Sequence, residues 1–84
     1  MSNMQLIEIT RGHLKVQAGA KGVTIYGEAF LRGYGSPDFL LFKNSIEKWD
    51  VPNDQEGVTP AEKEQLIQFL KEEFSRRKMF LEIE

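Results

Sequence analysis

The chain has 84 residues, 40% of them hydrophobic, with nine aromatics and no cysteine, so we expect one globular domain, residues 1–84, without disulfides or a thiolate metal site. The formal net charge is −2, and residues 1–58 and 59–84 each carry one more acid than base, so no basic stripe is present that would bind a nucleic-acid backbone. No apolar run approaches the roughly 18–20 residues of a membrane span, and the polar start is not that of a secretory signal, so we expect a cytoplasmic protein that does not bind membranes.

Three segments at the start of the chain have the pattern of strands. Residues 5–11 alternate, with Ile7 and Ile9 on one face and polar residues on the other, as in a half-buried strand. Residues 13–18 alternate again and lead into a glycine-containing connection of hairpin length. Residues 23–27 are rich in β-branched and aromatic side chains. The three segments predict an antiparallel meander.

The middle of the chain alternates between short apolar segments and breaker residues. Residues 29–31 either extend the third strand or begin a turn, and residues 33–38 combine glycine, serine and proline in a loop. Residues 39–42 are all apolar, which fits a central strand that is buried on both faces or covered by a helix on one. Residues 45–49 alternate and are a possible fifth strand, and residues 50–57 form a polar, acidic turn.

The clearest signal is the start of a helix at Thr59. Its hydroxyl suits an N-cap, Pro60 suits the first helical position, and Glu62 completes a capping box. We expect this helix to run to about Lys78. Its apolar stripe consists of Leu66, Ile67, Leu70 and Phe74 and is widened by Phe69.

The end of the helix and the residues after it complete the pattern. Glu73 and Arg77 are spaced four apart in the order that favours an ion pair. Residues 79–83 alternate once more and predict a last strand. The elements together predict an α+β fold in the order β-β-β-β-(β)-α-β. In this fold, a mostly antiparallel sheet of four to six strands packs on one long C-terminal helix in two layers.

Few residues suit catalysis or metal binding. His13 is the only histidine, and it falls on a polar face beside a tight turn, where we expect an exposed residue rather than a catalytic one. One histidine and no cysteine disfavour a transition-metal site. Asp50, Asp54 and Glu56 share one loop, but Pro52 stands at the third position of the spacing that an EF-hand calcium loop requires. We therefore predict no enzyme activity, no metal site and no cofactor.

The acidic loop and the tryptophan before it form the candidate protein-binding site. Trp49 is either packed in the core or an exposed anchor, since tryptophan offers a large, stiff contact surface at interfaces. Asp50, Asp54 and Glu56 form either a solvated turn or part of a surface that recognises a partner. The candidate protein-binding residues are accordingly Trp49, Asp50, Asp54 and Glu56.

One stretch of the chain resembles a known bacterial family. The motif Ser-Ile-x-x-Trp-x-x-Pro at residues 45–52 is followed by the acidic turn, the capped helix and a closing strand that ends at Glu84. This arrangement resembles immunity protein family number 74 of bacterial polymorphic toxin systems, over most of the chain. The resemblance implies a cytoplasmic protein that binds and neutralises a cognate toxin, with no catalytic residues to carry over. Acidic residues would suit a basic toxin. The Gly-Tyr-Gly-Ser-Pro loop at residues 33–37 departs from the family pattern as a local insertion.

Three alternatives stay open beside this one. The chain could be a structural or regulatory domain that acts as a homodimer, because the strand at residues 79–83 could pair with its copy. It could be a small enzyme. It could also bind nucleic acid by stacking bases on Tyr26, Phe30 and Tyr34, although the net charge is unfavourable for that.

Overall fold

Five strands and one long helix follow one another in the computed structural model, which describes residues 3–30 and 37–84. The elements are β1 (Met4–Ile9), β2 (His13–Ala18), β3 (Lys21–Ala29), β4 (Phe39–Leu41), a 3-10 helix (Lys43–Ser45), α1 (Pro60–Arg76) and β5 (Leu81–Ile83). The predicted α+β class is confirmed. Leu31 and most of the predicted loop at residues 33–38 lie outside the described residues.

The strands form one sheet in the order β1-β2-β3-β4-β5. Each strand is antiparallel to its neighbour except β5, which runs parallel to β4. The predicted meander of the first three strands is therefore confirmed. The turn between β2 and β3 places Gly19 at φ +64°, the left-handed region that a two-residue hairpin loop requires at its first position.

The first strand differs from its sequence pattern because it contains a β-bulge. Leu6 pairs with Val16 and Ile9 pairs with Leu14, so Leu6 and Ile9 share a face although they are three residues apart. The register shift after Leu6 accommodates the extra residue. Ile7 is 54% exposed, whereas Leu6 packs against the core. The prediction that Ile7 lies on the buried face is wrong, since strict alternation fails at a bulge.

The segment at residues 45–49 is not the fifth strand that its alternation suggested. The 3-10 helix ends at Ser45, whose hydroxyl donates a hydrogen bond to the Phe42 carbonyl at 2.6 Å. Ile46 and Trp49 are both buried, and their spacing of three residues does not fit a strand with period two. A single bridge between Lys48 and Gly57 is the only sheet-like pairing of this segment within the described residues.

The core lies between α1 and one face of the sheet. The helix contributes Leu66, Leu70 and Phe74, all buried, and the sheet contributes Leu14, Val16, Val23, Ile25, Phe39 and Leu41. The Phe39 and Phe74 rings meet with their centres 6.4 Å apart. Ile67 and Phe69 pack at the border of this core. The predicted apolar stripe is therefore the surface through which the helix covers the sheet.

Both ends of α1 carry the contacts expected of them. The Glu62 amide donates to the Thr59 hydroxyl at 3.1 Å, and the Thr59 amide donates back to the Glu62 carboxylate at 2.9 Å. The predicted capping box is confirmed. Near the other end Arg77 donates to Glu73 at 2.9 Å, and Arg76 also pairs with Glu73. The helix ends at Arg76, two residues before the predicted end.

Gly27 is required where β3 passes β4. A Cβ atom at this position would overlap the Leu40 carbonyl oxygen and the Phe39 ring, and both belong to the neighbouring strand. We expect Gly27→Ala to lower the free energy of unfolding by about 1–3 kcal/mol, the usual cost of overpacking. Gly12→Ala is the matched control, because nothing lies within 4 Å of a Cβ atom there. Equal urea midpoints for the two variants would contradict this assignment.

The capping box makes stability depend on pH. The Thr59 backbone N–H holds the pKa of Glu62 below its ordinary value of 4.5, so the carboxylate is stabilised in the folded chain. This contribution is present above about pH 4.5 and is lost as the pH falls through the lowered pKa. We expect Glu62→Gln to lose less stability than the wild type on acidification, as measured by urea unfolding at each pH. Glu64→Gln, on the exposed side of α1, should follow the wild type.

Candidate functional site

Trp49, the first residue of the predicted binding site, belongs to the core. It is 3% exposed and packs in the same cluster as the helix stripe. The Lys21 ammonium lies 4.6 Å from the centre of its ring, within cation–π range. Its indole N–H meets no acceptor among the described residues. Of the two interpretations made from the sequence, the structure supports core packing, and Trp49 is not available as an exposed anchor.

Asp50 ties the loop to the sheet. Its carboxylate accepts the Thr24 hydroxyl proton, with oxygen–oxygen distances of 3.1 and 2.9 Å. Its backbone N–H donates to the Gly22 carbonyl at 2.8 Å. Thr24 and Gly22 both lie on β3, so these contacts hold the start of the loop against the sheet. The carboxylate is therefore engaged within the molecule.

The other two predicted acids lie further along the same loop. Glu56 is exposed, but Lys21 lies 3.5 Å from its carboxylate and Asn53 donates to it at 3.2 Å. Asp54 is half-buried and forms no side-chain hydrogen bond or ion pair with the described residues. The structure thus brings the three acids into one loop, and internal contacts already engage Asp50 and Glu56.

Lys21 joins three parts of the fold at one point. Besides the Trp49 ring and Glu56, its ammonium lies 3.8 Å from the Glu62 carboxylate at the start of α1. The loop, the helix cap and the β2–β3 hairpin therefore meet at a single side chain. The acidic loop at residues 50–57 therefore holds the hairpin to the helix, and we call this loop the clasp.

His13 is hydrogen-bonded on both ring nitrogens. Its Nε2 atom lies 2.7 Å from a Glu8 carboxylate oxygen, and its Nδ1 atom lies 3.1 Å from the Thr10 hydroxyl. A carboxylate, an imidazole and a hydroxyl in contact resemble a hydrolytic triad. However, the Thr10 hydroxyl also accepts the backbone N–H groups of Gly12 and His13, so it closes the β1–β2 turn. His13 lies in the hairpin as predicted, but it is half-buried rather than exposed, because the turn places its side chain between Glu8 and Thr10.

A surface that sequence reasoning missed lies on the side of the sheet away from α1. Glu28 pairs with Leu40, and Leu40 pairs with Glu82, so these residues form one row across β3, β4 and β5. Neighbouring positions on this side are aromatic: Tyr26 is 54% exposed and Phe80 is 63% exposed. We call this surface the open face. It comprises Tyr26, Glu28, Phe42, Phe80, Glu82 and Glu84, with Leu40 at its centre.

The sequence feature that could have predicted the open face is the apolar run at residues 39–42. Phe39 and Leu41 are buried under the helix, and Leu40 and Phe42 alternate with them on the other side. The structure supports a strand that is covered on one face only. Alternation alone could not show this, since an apolar run fits a strand with either one or two covered faces.

Within residues 3–30 and 37–84, no three histidine, aspartate or glutamate side chains lie close enough together to hold a metal ion. Likewise, none of the described helices is long and apolar enough to cross a membrane.

The role of Lys21 can be tested through the only tryptophan of the chain. Lys21→Met keeps the aliphatic stem and removes the charge, so the ion pairs and the cation–π contact are lost together. We expect the free energy of unfolding to fall by about 1–2 kcal/mol, as measured by the urea midpoint of Trp49 fluorescence. Lys15→Met, on the exposed side of β2, is the control and should change it by less than about 0.5 kcal/mol. A similar loss in both variants would show that Lys21 does not join the loop to the helix.

Comparison with known proteins gives one result that covers nearly the whole chain. No curated protein and no solved structure matches it. The family model described as Immunity protein 74 matches residues 6–84. The match extends from within β1 through the clasp and α1 to β5, so it includes part or all of each helix and strand described above. The resemblance found in the sequence is confirmed, and the chain belongs to the immunity protein 74 family.

Proposed function

We propose that this protein neutralises a cognate bacterial toxin by binding it in the cytoplasm, without catalysis. The observation that carries the proposal is the family match over residues 6–84. An immunity protein needs a surface complementary to its toxin and no reacting groups of its own. A small, rigid sheet with exposed carboxylates and aromatic side chains suits that task.

The acidic loop remains a proposed part of the contact surface. Glu56 is exposed and Asp54 is half-buried, so both can approach a partner. Trp49 and Asp50 would act indirectly, since one is in the core and the other is bonded to Thr24. Negative charges on the surface would also steer a basic toxin towards it.

Co-expression with a toxin tests the proposal directly. The probe is the C-terminal domain of the toxin encoded by the neighbouring reading frame. We expect this domain to arrest growth of a host cell and this chain to restore growth when co-expressed. The purified partners should form a complex that light scattering identifies by its mass. The complex should form without turnover of the toxin chain, because protection is proposed to come from binding alone.

A pair of glycine variants tests whether protection depends on the intact fold. Gly27→Ala, which the structure predicts to disturb the sheet, should lose protection, whereas Gly12→Ala should keep it. If the wild-type chain is soluble and folded but neither protects nor binds, the proposed function is wrong.

A homodimeric structural or regulatory domain is the second candidate. The observation that favours it is the position of β5 at the edge of the sheet, where β4 is its one neighbour. A second copy could extend the sheet there by strand pairing. The same light-scattering measurement on the chain alone decides the matter, since a monomeric mass at all concentrations excludes this candidate.

A further inference from the structure

The outer side of the sheet changes in character from one half to the other. On β1 and β2 the outer residues are mostly polar, including Glu8 and His13, which hydrogen-bond to each other, although Ile7 of β1 is also exposed. Lys15 extends this polar half as an exposed cation. On β3, β4 and β5 the same side carries the exposed rings of Tyr26 and Phe80. A solvated sheet side is usually polar, so a cluster of exposed rings on one half of it marks a candidate contact surface.

The aromatic side chains of the open face take no part in the core. Met79 and Leu81 pack against the core, and Phe80 between them therefore points to the other side of the sheet. Leu40 and Phe42 are likewise absent from the core and from the residues packed on it. Tyr26 makes one ring contact, an edge contact with His13 at 6.4 Å between ring centres. These side chains contribute little to the two-layer packing and remain available to a partner.

Carboxylates surround these rings. Glu28, Glu82 and Glu84 are exposed, and none of them forms an ion pair or side-chain hydrogen bond with the described residues. This distinguishes them from Asp50 and Glu56 of the clasp, whose charges meet partners within the molecule. Arg11 and Lys43 border the open face without pairing to its acids in the described part of the chain. Among the described residues, the face therefore carries three carboxylates around an apolar centre with two cations at its border, a net negative charge.

We propose that the open face is the docking surface for the toxin and that it binds a cationic patch of lysine or arginine residues around an apolar centre. This inference rests on the proposed function and names the surface and the partner's chemistry. Carboxylates would pair with the cations, and the rings would receive apolar groups and the faces of guanidinium groups. The backbone of this region is already hydrogen-bonded within the sheet, so the surface is formed before the partner arrives.

Two other occupants are disfavoured by the same charges. A second copy of this chain would place Glu28, Glu82 and Glu84 against their own equivalents, and like charges across an interface repel. A nucleic acid would bring phosphates towards these carboxylates. Charge complementarity thus selects a basic protein surface.

The test compares two sets of substitutions in the full chain against the same toxin domain. The open-face variant is Phe80→Ala with Glu82→Lys, and the clasp variant is Asp54→Lys with Glu56→Lys. We expect the open-face variant to weaken toxin binding about 30-fold or more, the size of a hot-spot loss, as measured by calorimetry. The clasp variant should weaken it by less than about fivefold, the loss expected of a rim charge.

Two controls accompany this comparison. Glu64→Lys repeats the charge reversal on the exposed side of α1 and should bind like the wild type. Unfolding midpoints of all variants should show that each is folded, since the Phe80 and Glu82 side chains lie outside the core. In the wild type, backbone amide signals of residues 26–28, 40–42 and 80–84 should shift on adding toxin.

The outcomes distinguish this inference from the function on which it rests. If the wild type binds toxin and the folded open-face variant binds equally well, the open face is not the docking surface, while the immunity function stands. Loss of binding confined to the clasp variant would assign recognition to the acidic loop instead. If the wild type itself does not bind, the proposed function fails first.

Discussion

A single helix covers one side of a five-stranded sheet and leaves the other side uncovered. The rest of the structure depends on this arrangement. The 17 residues of α1 span about 25 Å and can cover only one face. Leu66, Leu70 and Phe74 bury that face, and each fully buried side chain contributes about 1.5–3 kcal/mol. A chain of this length has a thin stability margin, so no part of this contact is dispensable. The other side of the sheet faces solvent, except where the clasp contacts it.

The clasp shows that an acidic stretch is not necessarily a free negative surface. Trp49 anchors the loop by filling the core, Asp50 bonds to β3, and the Lys21 ammonium lies close to two carboxylates and the indole ring. Much of the loop's charge is therefore used to hold the hairpin to the start of the helix. The motif around Trp49 therefore has a role in folding.

The open face has the opposite character. Backbone hydrogen bonds join β4 to a strand on each side, so the backbone of β4 stays paired although its outer side chains are exposed. Its rings and carboxylates have few contacts within the molecule and add little to stability. A surface of this kind can change without disturbing the core, which suits the toxin recognition proposed above.

The sequence alone determined those features of this protein that depend on residues close together in the chain. The capping box at Thr59 depends on residues three apart, the pairing of Glu73 with Arg77 on residues four apart, and β2 on simple alternation. The α+β class followed from the order of such elements, and the family followed from the resemblance carried by the motif at residues 45–52 and the helix after it. Only the tertiary structure decided the bulge in β1, the irregular path of residues 45–49, the burial of Trp49 and the exposure of the open face. Each of these depends on which face of the sheet the helix covers, and that choice is made by contacts between residues far apart in the chain.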